Sequence, residues 1–153
     1  MLTAGFVLCC LMAKKKSPTC SAAACPCGSG KTLDQCCGPI MDGSRRAADA
    51  VELMRSRYTA YVLGNDIWLR RSWAPENCPT TILEPGIVWL GLRVLADACL
   101  DETHATVEFV ARGRYKNTGA FRMHEVSRFE KREQGWIYVD GDVDDGNTNN
   151  NAR

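Results

Sequence analysis

Between residues 44 and 141 the spacing of apolar side chains changes once, from a helical period to an alternating one. Ala47, Val51, Met54, Tyr58 and Tyr61 recur at the intervals that line one helix face. The spacing predicts an amphipathic helix of about 16–18 residues, capped at Asp42 or Ser44 and stopped by Gly64. "NDIWLRRSWAP" predicts a second, shorter helix, with Asn65 or Asp66 as its cap and Pro75 just past its end. The proline-containing stretch "ENCPTTILEPG" reads as a loop, and beyond it the pattern becomes that of strands. "IVWLGLRVLAD", "HATVEFVARGRY" and "FRMHEVSRFEKREQGWIYVDG" are rich in β-branched and aromatic residues, and the last breaks at "REQG" into a hairpin. In the second of them Ala105, Val107, Phe109 and Ala111 share a face opposite His104, Thr106 and Glu108. Helices followed by strands imply an α+β domain with helices packed on an antiparallel sheet.

The ends of the chain are different. Residues 1–19 read as a flexible N-terminal segment and 142–153, ending "DGNTNNNAR", as a disordered tail, since neither carries periodicity. "LTAGFVLCCLMA" is apolar but precedes the basic run Lys14–Lys16 instead of following one, the reverse of a secretory signal. It is also shorter than the roughly 20 residues that span a bilayer, so no membrane span is expected. Met12 offers an alternative start to Met1, with an interfacial anchor as the competing reading. The net charge of +1 gives no basic field of the kind that binds DNA.

Nine cysteines, an odd number and mostly without repeating spacing, make a poor disulfide framework and point to a reducing, cytoplasmic setting. Four of them lie in "CPCGSGKTLDQCCG", within residues 20–40. Cys25 and Cys27 form one close pair, Cys36 and Cys37 another, joined by a turn-forming spacer. That is the arrangement from which a tetrahedral structural zinc is built. Gly28 and Gly30 can take backbone angles closed to other residues, and "KTLDQ" can form a helical turn that presents the second pair. Redox chemistry fits less well, because Cys-x-x-Cys is absent, and a bond between the adjacent Cys36 and Cys37 would be strained. Iron–sulfur ligation is chemically allowed. Four thiolates would leave no open position for catalysis on the metal. So small a segment has no core of its own, and metal binding would supply its folding free energy.

Residues 25–31 and 36–38 of this stretch resemble the SEC-C motif, the zinc-binding module found at the end of the bacterial preprotein translocase motor and in many small bacterial proteins. The resemblance implies one structural Zn²⁺ held by Cys25, Cys27, Cys36 and Cys37. "AVELMRSRYTAYVLGNDIWLRRSWAPE", "WLGLRV" and "HEVSRFEKREQGWIYVDG" are similar to the YchJ-like family of uncharacterised bacterial proteins. That similarity implies, for residues 44–141, a nuclear-transport-factor-two-like cone in which helices pack on a curved antiparallel sheet and can enclose a pocket.

Pocket or binding candidates are Arg55, Tyr58, Trp73, His124 and Arg128, with Arg57, Trp68 and His104 as further polar or aromatic positions. Each has a plainer role. The aromatics fit a core, and Arg55 and Arg57 can brace the contact between helix and sheet. On a strand His124 and Arg128 share a face while Glu125 lies on the other, which makes a His–Glu base pair awkward. Neither a Ser–His–Asp grouping nor a phosphate-binding glycine loop is present, and no catalytic residue is assigned. The expectation is a zinc-containing binding or adaptor protein. Its knuckle would dock, through Lys14–Lys16 and Lys31, on a protein or on ribosomal RNA, as the resemblance to the translocase motif implies. The alternative is a small-molecule enzyme of isomerase or hydrolase type, working near His124 and Arg55. A buried, water-accessible pocket holding a polar cluster favours the enzyme; a filled cone with basic residues gathered at the knuckle favours the adaptor.

Overall fold

The computed structural model describes residues 23–144. The expectations for residues 1–19, the choice of start and the run Lys14–Lys16 lie outside the described residues. The fold is α+β: a cysteine-bearing knuckle, short helices, then a four-stranded antiparallel sheet in the order β1-β2-β3-β4. Its elements are α1 (Gly38–Met41), α2 (Ala50–Leu63), α3 (Asp66–Arg71), β1 (Ile87–Cys99), β2 (His104–Tyr115), β3 (Gly119–Arg132) and β4 (Gly135–Asp144). β4 therefore continues through residues 142–144, which the sequence pattern assigns to the tail. Val143 and Asp142 pair with Glu125 and Val126 of β3, and the ladder carries the strand past the point where apolar alternation ends.

The principal helix begins later than its periodicity suggests. Its cap is Asp49, whose carboxylate accepts the Glu52 N–H at 2.8 Å, while the Glu52 side chain reaches back to the Ala48 N–H at 2.9 Å. This Asp-x-x-Glu arrangement satisfies two otherwise orphaned donors, so it outcompetes Asp42 and Ser44 and leaves Ala47 outside the helix. Gly64, at φ 70, ends it as expected. α3 starts on Asn65, whose side chain accepts the Trp68 N–H at 3.0 Å.

The sheet bends because three register shifts break its ladders. Two of them lie in β1, at Leu90 and Leu95, and these extra residues are left outward-facing, 52% and 42% exposed. That is why β1 alternates poorly in sequence. Gly113 admits a second element of curvature, since a Cβ there would come 2.5 Å from the Phe121 ring. The concave face gathers Val107, Phe109, Ala111 and Phe129 beneath α2. Residues 72–74 then run beside β4, with Tyr138 N–H donating to the Ser72 carbonyl and Ala74 N–H to that of Tyr138.

α2 is buried on several sides, which explains the polar residues in its interior. Ser56, Arg57 and Thr59 are all buried, and each makes a polar contact that ties α2 to a neighbour. Ser56 Oγ accepts the Trp68 indole N–H at 3.0 Å, so Trp68 is a packing residue held to the helix. Leu53, 1% exposed, lies in one cluster with Cys25, Cys27, Cys37 and Phe129. Leu53→Ala should lower the unfolding free energy by about 2–5 kcal/mol in urea titration; an unchanged midpoint would contradict a core shared in this way.

Candidate metal centre and cavity

The spacer between the cysteine pairs folds as a tight turn. Cys25 N–H donates to the Lys31 carbonyl at 2.9 Å and Leu33 N–H to that of Ala23 at 2.9 Å. Gly28 and Gly30 adopt φ 73 and 80, which other residues rarely take. A single 3₁₀ turn, Leu33–Gln35, then presents Cys36 and Cys37. Gly38 is equally constrained, since a Cβ there would lie 2.8 Å from the Leu33 carbonyl oxygen.

The result brings the four Sγ atoms within 4.8 Å of one another. Cys27 and Cys36 are 3.6 Å apart and Cys36 and Cys37 3.8 Å. A tetrahedron of sulfurs about 2.3 Å from a central ion has edges of about 3.8 Å. The cluster can therefore hold a metal ion, and its donor set suits a thiophilic one. Hydrogen bonding with Cys37 pulls the Cys27 thiol down, and the same bond pushes Cys37 up. The surrounding contacts orient the cluster: Ser29 Oγ lies 3.1 Å from Cys36 Sγ, and Thr59 Oγ1 of α2 lies 3.7 Å from Cys25 Sγ. Arg55 donates to the Cys27 carbonyl at 2.8 Å, which anchors the knuckle on α2 and sets a cation beside it.

The second feature is a cavity of about 400 Å³ between α2 and the concave sheet. Tyr58, Tyr61, Trp89, Phe121 and Tyr115 supply aromatic walls, several in edge-on contact, such as Tyr58 against Trp89 at 5.9 Å. Three charged side chains line the same space: Glu84, which is exposed, and Arg57 and Glu125, which are buried. Arg57, 5% exposed, donates through Nη1 to the Leu69 carbonyl at 3.0 Å and to Ser72 Oγ at 2.7 Å. Its guanidinium sits 4.6 Å from the centre of the Trp73 ring and 4.4 Å from that of Tyr138, a cation against two rings that themselves meet edge-on. Burial pulls its pKa below the usual arginine range. Glu125, 8% exposed, accepts at Oε1 from Ser127 Oγ at 2.7 Å and from the Tyr138 hydroxyl at 2.9 Å. Gly141 makes room for this carboxylate, since a Cβ there would collide with Oε1.

The residues singled out from sequence divide sharply. Cys25, Cys27, Cys36 and Cys37 converge, and Tyr58 and Trp73 line the cavity. Arg55 does not, being spent on Cys27. His124 and Arg128 lie on the opposite, outward face of β3. His124 Nε2 is 2.8 Å from Glu108, and Arg128 is paired with Asp140 and with Asp142 at 2.7 Å. His104 is exposed at a turn, 2.9 Å from Asp101. The polar residues that do enter the cavity from the sheet are Glu125, Ser127 and Tyr138. Glu125 and Ser127 share a strand face with Met123 and Phe129, and a carboxylate interrupting an apolar face was the available signal.

Comparison with known proteins matches the knuckle and the domain that follows it to known families. A family model described as "YchJ, middle NTF2-like domain" matches residues 49–141, and one for the SEC-C motif matches residues 23–39. A UPF0225 protein of Cupriavidus pinatubonensis is 48% identical over 140 residues, which cover 86% of this chain and 96% of that protein. The solution structure of a SEC-C motif-containing protein from Rhodopseudomonas palustris superposes with a TM-score of 0.71 at 36% identity, covering 79% of this chain and 98% of that one. A crystal structure of a SEC-C motif-containing protein from Psychrobacter arcticus gives 0.61 at 26% identity, covering 76% and 80%.

Three cavity phenols carry a pH dependence of stability. Burial raises the pKa of Tyr58, Tyr61 and Tyr138, and the Glu125 carboxylate raises Tyr138 further. In the unfolded chain these phenols ionise at about 10. Their raised folded values mean that their contribution to stability is complete below that pH and is lost as pH rises above it. Chemical denaturation should show stability falling above about pH 10, less steeply in Tyr138→Phe; an identical slope in the variant would remove Tyr138 from this account.

Proposed function

The chain belongs to the YchJ-like UPF0225 family, and from that premise we propose that it is a small-molecule-binding protein whose knuckle holds one structural zinc ion. The observation that carries this reading is the cavity: about 400 Å³, aromatic-walled, with a buried cation and a buried carboxylate at its lining. Sites for small organic molecules have this volume and this mixture of apolar wall and few polar groups. The zinc is assigned a structural part because all four positions of its tetrahedron would be taken by thiolates, and three of those sulfurs belong to buried residues.

The adaptor reading has less behind it. Of the basic residues near the knuckle, Arg55 is engaged with Cys27 and Arg45 with Glu52 at 2.6 Å, which leaves Lys31 as the exposed cation of the turn. Docking of this turn on a protein or on ribosomal RNA would rest on Lys31 and on Lys14–Lys16. An enzyme of isomerase or hydrolase type would have to work with Glu125, Ser127 and Tyr138, since His124 and Arg55 are elsewhere. Among the described residues no helix is long and apolar enough to cross a membrane.

The binding claim is tested with N-phenyl-1-naphthylamine, which fluoresces in apolar surroundings. Saturable one-to-one binding is expected, weakened at least about tenfold in Ala111→Phe, because Ala111 lines the cavity and is 1% exposed. Absence of saturable binding up to the probe's solubility would overturn it. For the metal, protein purified without chelator should contain about one equivalent of zinc, falling below about half in Cys36→Ser; unchanged zinc in that variant would contradict the assignment.

A further inference from the structure

The polar lining of the cavity is asymmetric in a way that defines what it can hold. Glu125 is more than nine-tenths buried and lines the cavity. Both hydroxyl groups that reach it, those of Ser127 and Tyr138, donate to the same oxygen, Oε1. Oε2 has no hydrogen-bond donor among the described residues and is not one of the enclosed unpaired polar atoms, so it opens to the cavity, and a ligand that covers it without donating to it leaves it buried at a cost. An ionised carboxylate accepts and cannot donate. The group that completes this site must therefore bring a proton donor.

The charge balance of the cavity constrains the rest of the ligand. Arg57 and Glu125 are of opposite sign and both line the space, yet they form no ion pair with each other. Arg57 is held instead by the Leu69 carbonyl, Ser72 and two aromatic rings, so the buried part of the lining already contains compensating charges, while Glu84, the third charged residue of the lining, is solvent-exposed. A charged ligand would upset that balance in a site of low dielectric, where the cost is large. The walls ask for flat apolar surface, because Tyr58, Tyr61, Trp89, Tyr115 and Phe121 present rings to the space.

Resting on the reading of the cavity as a small-molecule site, we propose that its ligand class is uncharged ring compounds carrying a hydroxyl or N–H that donates to Oε2 of Glu125. The carboxylate is the specificity element: it rejects compounds of the same shape that can only accept, because they leave Oε2 buried and unpaired.

Isothermal titration with three naphthalene probes tests this directly. 2-Naphthol has the donor, 2-methoxynaphthalene has the same ring without it, and 2-naphthylmethylamine has the donor with a positive charge. The full-length protein is expected to bind 2-naphthol about tenfold or more tighter than 2-methoxynaphthalene, the margin of a hydrogen bond to a charged acceptor. It is also expected to prefer 2-naphthol to the amine, and Glu125→Leu should bring the two neutral probes to equal affinity. Equal binding of the neutral probes to the unmodified protein would overturn the role of Glu125 while leaving the cavity a binding site. Tighter binding of the amine would overturn the preference for uncharged ligands. Failure of all three probes to bind would overturn the cavity reading and this inference with it. The comparison among probes on the unmodified protein decides the matter even if Glu125→Leu fails to fold.

Discussion

The burial of the cysteine knuckle against α2 is the packing event on which both candidate sites depend. Cys25, Cys27 and Cys37 are in the same apolar cluster as Leu53, Met54, Tyr58, Phe109 and Phe129, so there is no boundary in the core between a metal module and a cone. A knuckle of this size carried on a linker would have to be folded by its metal alone. Here three of the four cysteines that can hold the metal are also core residues. The metal-bound centre would fix the middle of α2, which holds Thr59 and Arg55, and α2 in turn holds Tyr58 and Arg57 at the cavity. The knuckle would then act on function through the helix, by holding one wall of the cavity.

α2 achieves this by burying polar side chains that an ordinary amphipathic helix would expose. Ser56 receives Trp68, Arg57 receives Leu69 and Ser72, and Thr59 meets Cys25. Each buried donor or acceptor is costly if left unpaired and specifies one arrangement when paired, so α3 and the knuckle can dock in one register only. Arg57 is the extreme case. Its aromatic partners, Trp73 and Tyr138, are the very residues through which the 72–74 segment joins the edge of β4, so the cation also marks that junction.

The parts of the fold that obey a single period were legible in the sequence. β2 reads directly, because Ala105, Val107, Phe109 and Ala111 are all buried on one face. The cysteine cluster was legible for a different reason: its geometry is local, set by the two glycines at positive φ and the 3₁₀ turn between the cysteine pairs. The start of α2 does not follow the apolar period, because the Asp49–Glu52 cap overrides it. The cavity was the least legible feature. Its residues come from α2, the segment around Trp73, the loop at 82–84 and all four strands, and the bulges of β1 help decide which of them face inward. His124 has the chemistry of a catalytic residue but the parity of an outward one, while Glu125, one residue on, faces the cavity.

The central claim is that metal centre and cone form one cooperative unit. Hydrogen–deuterium exchange on the metal-loaded protein, and again after the metal is stripped with a chelator under reducing conditions, tests it most directly. Loss of protection not only in residues 25–38 but along residues 53–60 of α2 is the result this account predicts. Protection of α2 that is unchanged by metal removal, with exchange rising in the knuckle alone, would contradict it.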